Sequence, residues 1–111
     1  MEFNKLATDP LGYLKREFGR ELRLLITPDG IIANIGMALP YADIKRRMTA
    51  DTTDTVNLLD REHVMLVDDH GQRKSLPINP IATALYWQRC GGPVEHTIVG
   101  PVYIVPDEDF A

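Results

Sequence analysis

The stretch that most constrains this chain is Leu76-Pro77-Ile78-Asn79-Pro80-Ile81-Ala82-Thr83-Ala84-Leu85-Tyr86-Trp87-Gln88-Arg89-Cys90-Gly91-Gly92. It combines a helix start, about three turns of helix former and a stop. Asn79 suits an N-cap, because its side-chain oxygen can accept an orphan backbone N–H of the first turn. Pro80 then occupies the first helical position, where the missing N–H costs nothing and φ is already right. Gly91 can close the helix in the left-handed conformation, and Pro93 stops it from resuming. The residues between are largely apolar, so the helix over 80–90 is expected to lie across paired strands.

The rest of the chain divides into short elements. Asp9-Pro10 repeats the cap-and-proline start, and Leu11, Leu14 and Phe18 fall on one helical face before Gly19 ends it. Leu22 to Thr27 and Ile31 to Ile35 flank Pro28-Asp29-Gly30, a turn in which proline presets φ and glycine accepts a positive one. Pro40 opens a second helix with Tyr41, Ile44 and Met48 on one face. Thr49 to Thr55 has no apolar period and reads as a loop, the most mobile of the interior. Val56 to Leu59 reads as a short strand. Glu62 to Val67 and Gln72 to Leu76, joined by Asp68-Asp69-His70-Gly71, read as a second hairpin. Thr97 to Val105 is the most strand-like run, closed by Pro106. Pro101 cannot donate to a ladder, which places that strand at a sheet edge or gives it a bulge near Gly100.

This order predicts one α+β domain over 1–111, with a mainly antiparallel sheet of about five strands built from hairpins and two or three helices packed on one of its faces. Residues 1–8 and 107–111 are expected as flexible ends, and Asp107-Glu108-Asp109 as a solvated acidic tail.

Composition excludes several roles. A net charge of −4 with 25% charged residues is poor for a nucleic-acid binder, and too mild for an acidic mimic of DNA. No apolar run is long enough to span a bilayer, and Met1-Glu2-Phe3-Asn4-Lys5 lacks the features of a signal peptide. The one cysteine, Cys90, can form no intrachain disulfide. Together these point to the cytoplasm.

The constellations that carry chemistry are thin. His63 with Asp68, Asp69 and His70 offers imidazole and carboxylate donors suited to zinc or manganese. On the hairpin reading, however, His63 is a half-exposed strand residue carried well away from the turn by the rise of about 3.3 Å per residue. Cys90 with His96 suggests a thiol nucleophile, yet the negative end of a helix dipole disfavours the thiolate, and the bland reading is a small buried or half-buried hydrophobe. Ser75, the single serine, sits mid-strand without a nucleophile elbow. Gly91, Gly92 and Gly100 match neither a dinucleotide fingerprint nor a P-loop. Lys45, Arg46 and Arg47 could contact phosphate, with Lys15, Arg16 and Arg20 as a second patch. Tyr86 and Trp87 are the candidates for a protein interface, since large aromatics with a polar tip concentrate at binding hot spots.

The second half of the chain also resembles a family. Val64 to Gly71, Leu76-Pro77-x-Asn79, Ala82-Thr83-Ala84-Leu85-Tyr86 and Ile98-Val99-Gly100-Pro101-Val102 look like the pattern of small uncharacterised domains carried by bacteriophages, plasmids and some bacterial genomes. The Pro28-Asp29-Gly30 turn and the Tyr41 to Met48 helix fit its first half, so the resemblance covers roughly residues 22 to 105. Thr49 to Thr55 departs from it, where the family tends to a shorter, glycine-containing join. The resemblance implies an accessory protein of a mobile element and hands over no catalytic residues.

The leading expectation is therefore a non-enzymatic, cytoplasmic accessory protein without metal or cofactor. It would act by protein–protein contact with a host factor, with defence or replication machinery, or with its own copy. A nucleic-acid-binding regulator using Lys45, Arg46 and Arg47 is the alternative. A small metal-dependent enzyme centred on His63, Asp69 and His70 is the second alternative.

Overall fold

The computed structural model describes residues 8–110. In chain order the elements are helix α1 (Pro10–Phe18), strands β1 (Leu24–Ile26) and β2 (Ile32–Asn34), helix α2 (Tyr41–Met48), strands β3 (Thr53–Asn57) and β4 (His63–Asp68), helix α3 (Pro80–Cys90), strand β5 (Val102–Pro106) and a closing 3-10 turn (Asp107–Phe110). The five strands form one sheet in the order β2-β1-β5-β4-β3, and every neighbouring pair runs antiparallel. This is the expected α+β architecture.

The helix starts form as their residues dictate. The Asp9 carboxylate accepts from the Gly12 N–H and the Asn79 amide oxygen from the Ala82 N–H, each with proline next in line. Gly91 closes α3 at φ 86°, ψ 7°, the left-handed conformation that a side chain would resist.

Alternation along the central strands builds two cores. Val102 and Ile104 of β5, Met65 of β4 and Leu24 and Ile26 of β1 meet Leu11 and Leu14 of α1 and Ala82 and Leu85 of α3 on one face. Tyr103 and Val105 of β5 and Val64 and Leu66 of β4 meet Ile44 and Met48 of α2 on the other. The expectation that helices cover a single face is thus corrected. The reason lies in β5 and β4, whose apolar runs do not alternate with polar residues and so require cover on both sides. Burial of each such side chain is worth roughly 1.5–3 kcal/mol.

Four further expectations give way. Thr53 to Thr55 is not loop but the start of β3, held by backbone pairing to β4 from Thr53↔Asp68 to Asn57↔Val64. β3 is a mostly exposed edge strand with Val56 packed against the core, so its polar threonines hid it. Gln72 to Leu76 is not the return of a hairpin: residues 69–75 coil, with Lys74 N–H on the His70 carbonyl and Leu76 N–H on the Gly71 carbonyl. The true partners of β4 are β3 and β5. The last strand is shorter than its apolar run, because Gly100 turns the chain at φ 78° before Pro101. From there β5 runs through the middle of the sheet, not along its edge. Finally, Asp109 is not a solvated tail residue, since Arg23 grips it through Nε at 3.0 Å and Nη2 at 2.8 Å. That bidentate pair, mainly through its hydrogen bonds, raises the Arg23 pKa further.

Candidate interaction surface

α3 presents its sequence-predicted aromatics to the side rather than outward. Ala82, Thr83 and Leu85 point into the fold. The Thr83 hydroxyl accepts from the Ile98 N–H at 3.0 Å, which locks the helix to the segment leading into β5. Tyr86 and Trp87, half-buried, flank that buried stripe. The Trp87 indole N–H donates to the His96 carbonyl at 3.0 Å, and the Tyr86 ring meets the His96 ring edge-on at 5.6 Å. Beside Tyr86, hydrogen bonding with Cys90 pushes the phenol's pKa up.

With its polar edge spent, Trp87 offers its ring to a groove. The lining comprises Thr8, Pro10, Ala84, Trp87, Gln88, Gly91, Gly92 and Pro93, around a volume of about 430 Å³. None of these side chains is ionisable. The floor is braced by Gln88, whose Nε2 donates to Asp9 Oδ1 at 2.9 Å and whose Oε1 accepts from the Leu11 N–H at 3.2 Å. One amide therefore ties the start of α1 to the end of α3, and Pro10 and Pro93 both line the groove. A groove of this kind can receive an apolar side chain and orient it with few conformational losses.

The cationic candidates lie on α2 and on or just after α1. Lys45 lies over the Tyr41 ring at 4.8 Å, and Arg46 pairs with Asp43. Arg46 and Arg47 are both exposed and line one shallow depression with Asp43. Lys15 pairs with Asp60 at 2.6 Å and Arg16 lies 3.8 Å from Asp9, while Arg20 is exposed.

The metal constellation does not converge. His63 is not half-exposed but buried at 2% exposure, and it lies at the opposite end of β4 from Asp68. Its Nε2 accepts from the Leu22 N–H at 2.9 Å, so the ring proton sits on Nδ1, which faces Asp60 Oδ2 at 2.8 Å. Asp68 accepts from Lys74 Nζ at 2.8 Å and from the His70 N–H at 2.9 Å. Burial works to raise the Asp68 pKa, but those donors outweigh it and hold it low. Among the described residues no group of three or more histidine, cysteine, aspartate or glutamate side chains is placed to hold a metal ion.

Cys90 is exposed, contrary to the expected buried or half-buried hydrophobe, because α3 turns its last residues away from the sheet. Ser75 lies in the coil after β4 at φ 55°, not on a strand.

No family model, curated protein or solved structure matches the chain.

What sequence reasoning missed was the second wall of the groove. Pro10 and Pro93 each marked an element boundary, but nothing in either stretch says that they meet. The Gln88 amide, bonded to Asp9 and to the Leu11 N–H, and the shared core of α1 and α3 bring them onto one groove.

Proposed function

We propose that this chain is a non-enzymatic binding protein that engages another protein through the Trp87 groove. The observation that carries the reading is the groove itself: an aromatic ring held by its own N–H, walled by Pro10 and Pro93, uncharged throughout and about 430 Å³ in volume. Such a surface rewards an apolar anchor from a partner and offers no group to activate a substrate. Among the described residues no helix is long and apolar enough to cross a membrane. With its single exposed Cys90 the protein suits a reducing cytoplasm. The role of accessory factor on a mobile element, directed at host machinery, is supported by the resemblance of its Leu76 to Val102 pattern alone.

The test is a photo-crosslinking amino acid placed at Ala84, on the groove wall, and in a separate variant at exposed Asp51 as control. The expected result is a discrete protein adduct from position 84 that is absent from position 51 and lost when Trp87→Ala is added. No adduct, or the same adducts from both positions, would remove the reading.

A further inference from the structure

The two edges of the sheet are not equivalent. Antiparallel strands alternate between residues that bond inward and residues that bond outward. At the β1–β2 edge the Thr27 N–H donates to the Ile31 carbonyl at 3.0 Å and the Ile35 N–H to the Arg23 carbonyl at 2.9 Å. With Leu25↔Ala33 between them in register, Ile31, Ala33 and Ile35 are the inward residues. Ile32 and Asn34 therefore point their N–H and C=O groups away from the sheet, and β2 is a terminal strand.

At the β3 edge the Asp69 N–H donates to the Thr52 carbonyl and the Leu58 N–H to the His63 carbonyl. By the same alternation Thr53, Thr55 and Asn57 face outward there. That edge is defended. The outward Thr55 N–H is already taken by Asp54 Oδ1 at 2.9 Å, and Asp51 and Asp54 bring negative charge to the rim. Charges on an edge are a common protection against strand pairing.

β2 carries no such device. From Gly30 to Ala42 there is no charged residue, in a chain that is 25% charged. Ile31 and Met37 lie beside the edge at 58% and 60% exposure. Among the described residues no side chain bonds the outward N–H of Ile32 or Asn34.

We propose that β2 pairs with β2 of a second copy, antiparallel about a two-fold axis at Ala33, to join two sheets into one. The inference rests on the reading of the chain as a protein-binding module and names one partner for a second surface. In this register Ile32 of each copy opposes Asn34 of the other, and the outward groups exchange about four backbone hydrogen bonds. Ile31 then faces Ile35 of the second copy on the same side of the sheet, which covers its exposed side chain. An uncharged edge meets its own copy without like-charge repulsion, whereas the same arrangement at β3 would bring Asp54 toward Asp54. The interface is isologous and closes, so association stops at the dimer.

Sedimentation velocity from micromolar to submillimolar concentration reads the association. Ile32→Pro is the main variant, because the Ile32 N–H points outward and its loss leaves the β1 ladder intact. The wild-type chain should dimerise, and Ile32→Pro should weaken association roughly tenfold or more with an unchanged far-ultraviolet circular dichroism spectrum. Asn34→Lys is the second variant, expected to weaken the dimer in a way that added salt partly restores. A wild-type chain that stays monomeric throughout, or variants that dimerise like it, would overturn the proposal. So would a dimer abolished by Trp87→Ala instead. The Ala84 crosslink is a separate readout: adducts from the groove with no β2 dimer sink this inference and leave the groove reading standing.

Discussion

Strand β1 is gripped at both ends by a buried polar side chain from elsewhere in the chain, and the two grips differ in kind. At its far end Asn79, fully buried, donates through Nδ2 to the Ile26 carbonyl at 3.0 Å and to the Gly100 carbonyl at 2.9 Å, while its oxygen caps α3 at the Ala82 N–H. At its near end His63 accepts from the Leu22 N–H, faces Asp60, and through Asp60 reaches Lys15 of α1. The Asn79 corner is neutral and closed, with each polar atom of the side chain used. The His63 corner is a relay of ionisable groups that opens to solvent at Lys15, whose side chain is 29% exposed. One corner should be indifferent to pH and the other should not.

The largest expected effect is at Asn79. Asn79→Ala removes the cap, leaves the Gly100 carbonyl and the Ala82 N–H without a partner and takes from the Ile26 carbonyl the donor it has besides its ladder bond to β5, for a cost of about 3–4 kcal/mol in urea unfolding. Asn79→Asp should not rescue it, because two carbonyls would then face an oxygen with no proton to give. A stable Asn79→Asp protein would show that the corner works only as a cap.

Next is His63. His63→Phe keeps most of the volume but leaves the Leu22 N–H without its acceptor and the Asp60 carboxylate short of one donor, at an expected cost of about 2 kcal/mol in the same assay. The loss should appear as faster hydrogen exchange at Leu22 while the Ile26 end of β1 stays protected. Uniform loss of protection along β1 would mean that the two corners are not separable.

The smallest effect is the pH dependence that separates them. Burial works to raise the Asp60 pKa, but hydrogen bonds from Lys15, His63 and the backbone N–H groups of Glu62 and His63 prevail and hold it well below the carboxylate range. A carboxylate with a depressed folded pKa contributes stability that is complete above its unfolded value, about 3.9, and is lost as pH falls through the folded one. Asp60→Asn should therefore lower stability at neutral pH and flatten the acid limb of the stability curve, leaving the part due to Asp68 and Lys74. Asn79→Ala should shift the whole curve down with its acid limb unchanged. Parallel acid limbs for wild type and Asp60→Asn would remove the contrast.

How much of this was legible in the residues varies with the range of the contact. The cap of α3 was, because Asn79, Pro80 and Gly91 act within a few positions of one another, and so was the Pro28-Asp29-Gly30 turn. The rest of the Asn79 corner was not. Nothing near Ile26 or Gly100 says that their carbonyls will lie beside one amide. His63 was misread as half-exposed, because its partners come from the turn before β4 and from the segment leading into β1. Thr53 to Thr55 was misread because β3 is a mostly exposed edge strand. The Trp87 ring was legible as a candidate surface, but its groove depends on Pro10, brought in through Gln88 and Asp9.

By itself the sequence determined the helix starts, the first turn, the mainly antiparallel α+β class and the apolar runs that had to be buried, since each follows from steric and hydrogen-bonding demands met within one or two turns of chain. Only the tertiary structure decided that α2 takes the opposite face from α1 and α3 and that β5 runs through the centre of the sheet. It also decided which edge is left open and which aromatic meets a groove. Those outcomes turn on which distant backbone groups and side chains come to share a partner, and short-range chemistry does not carry that information.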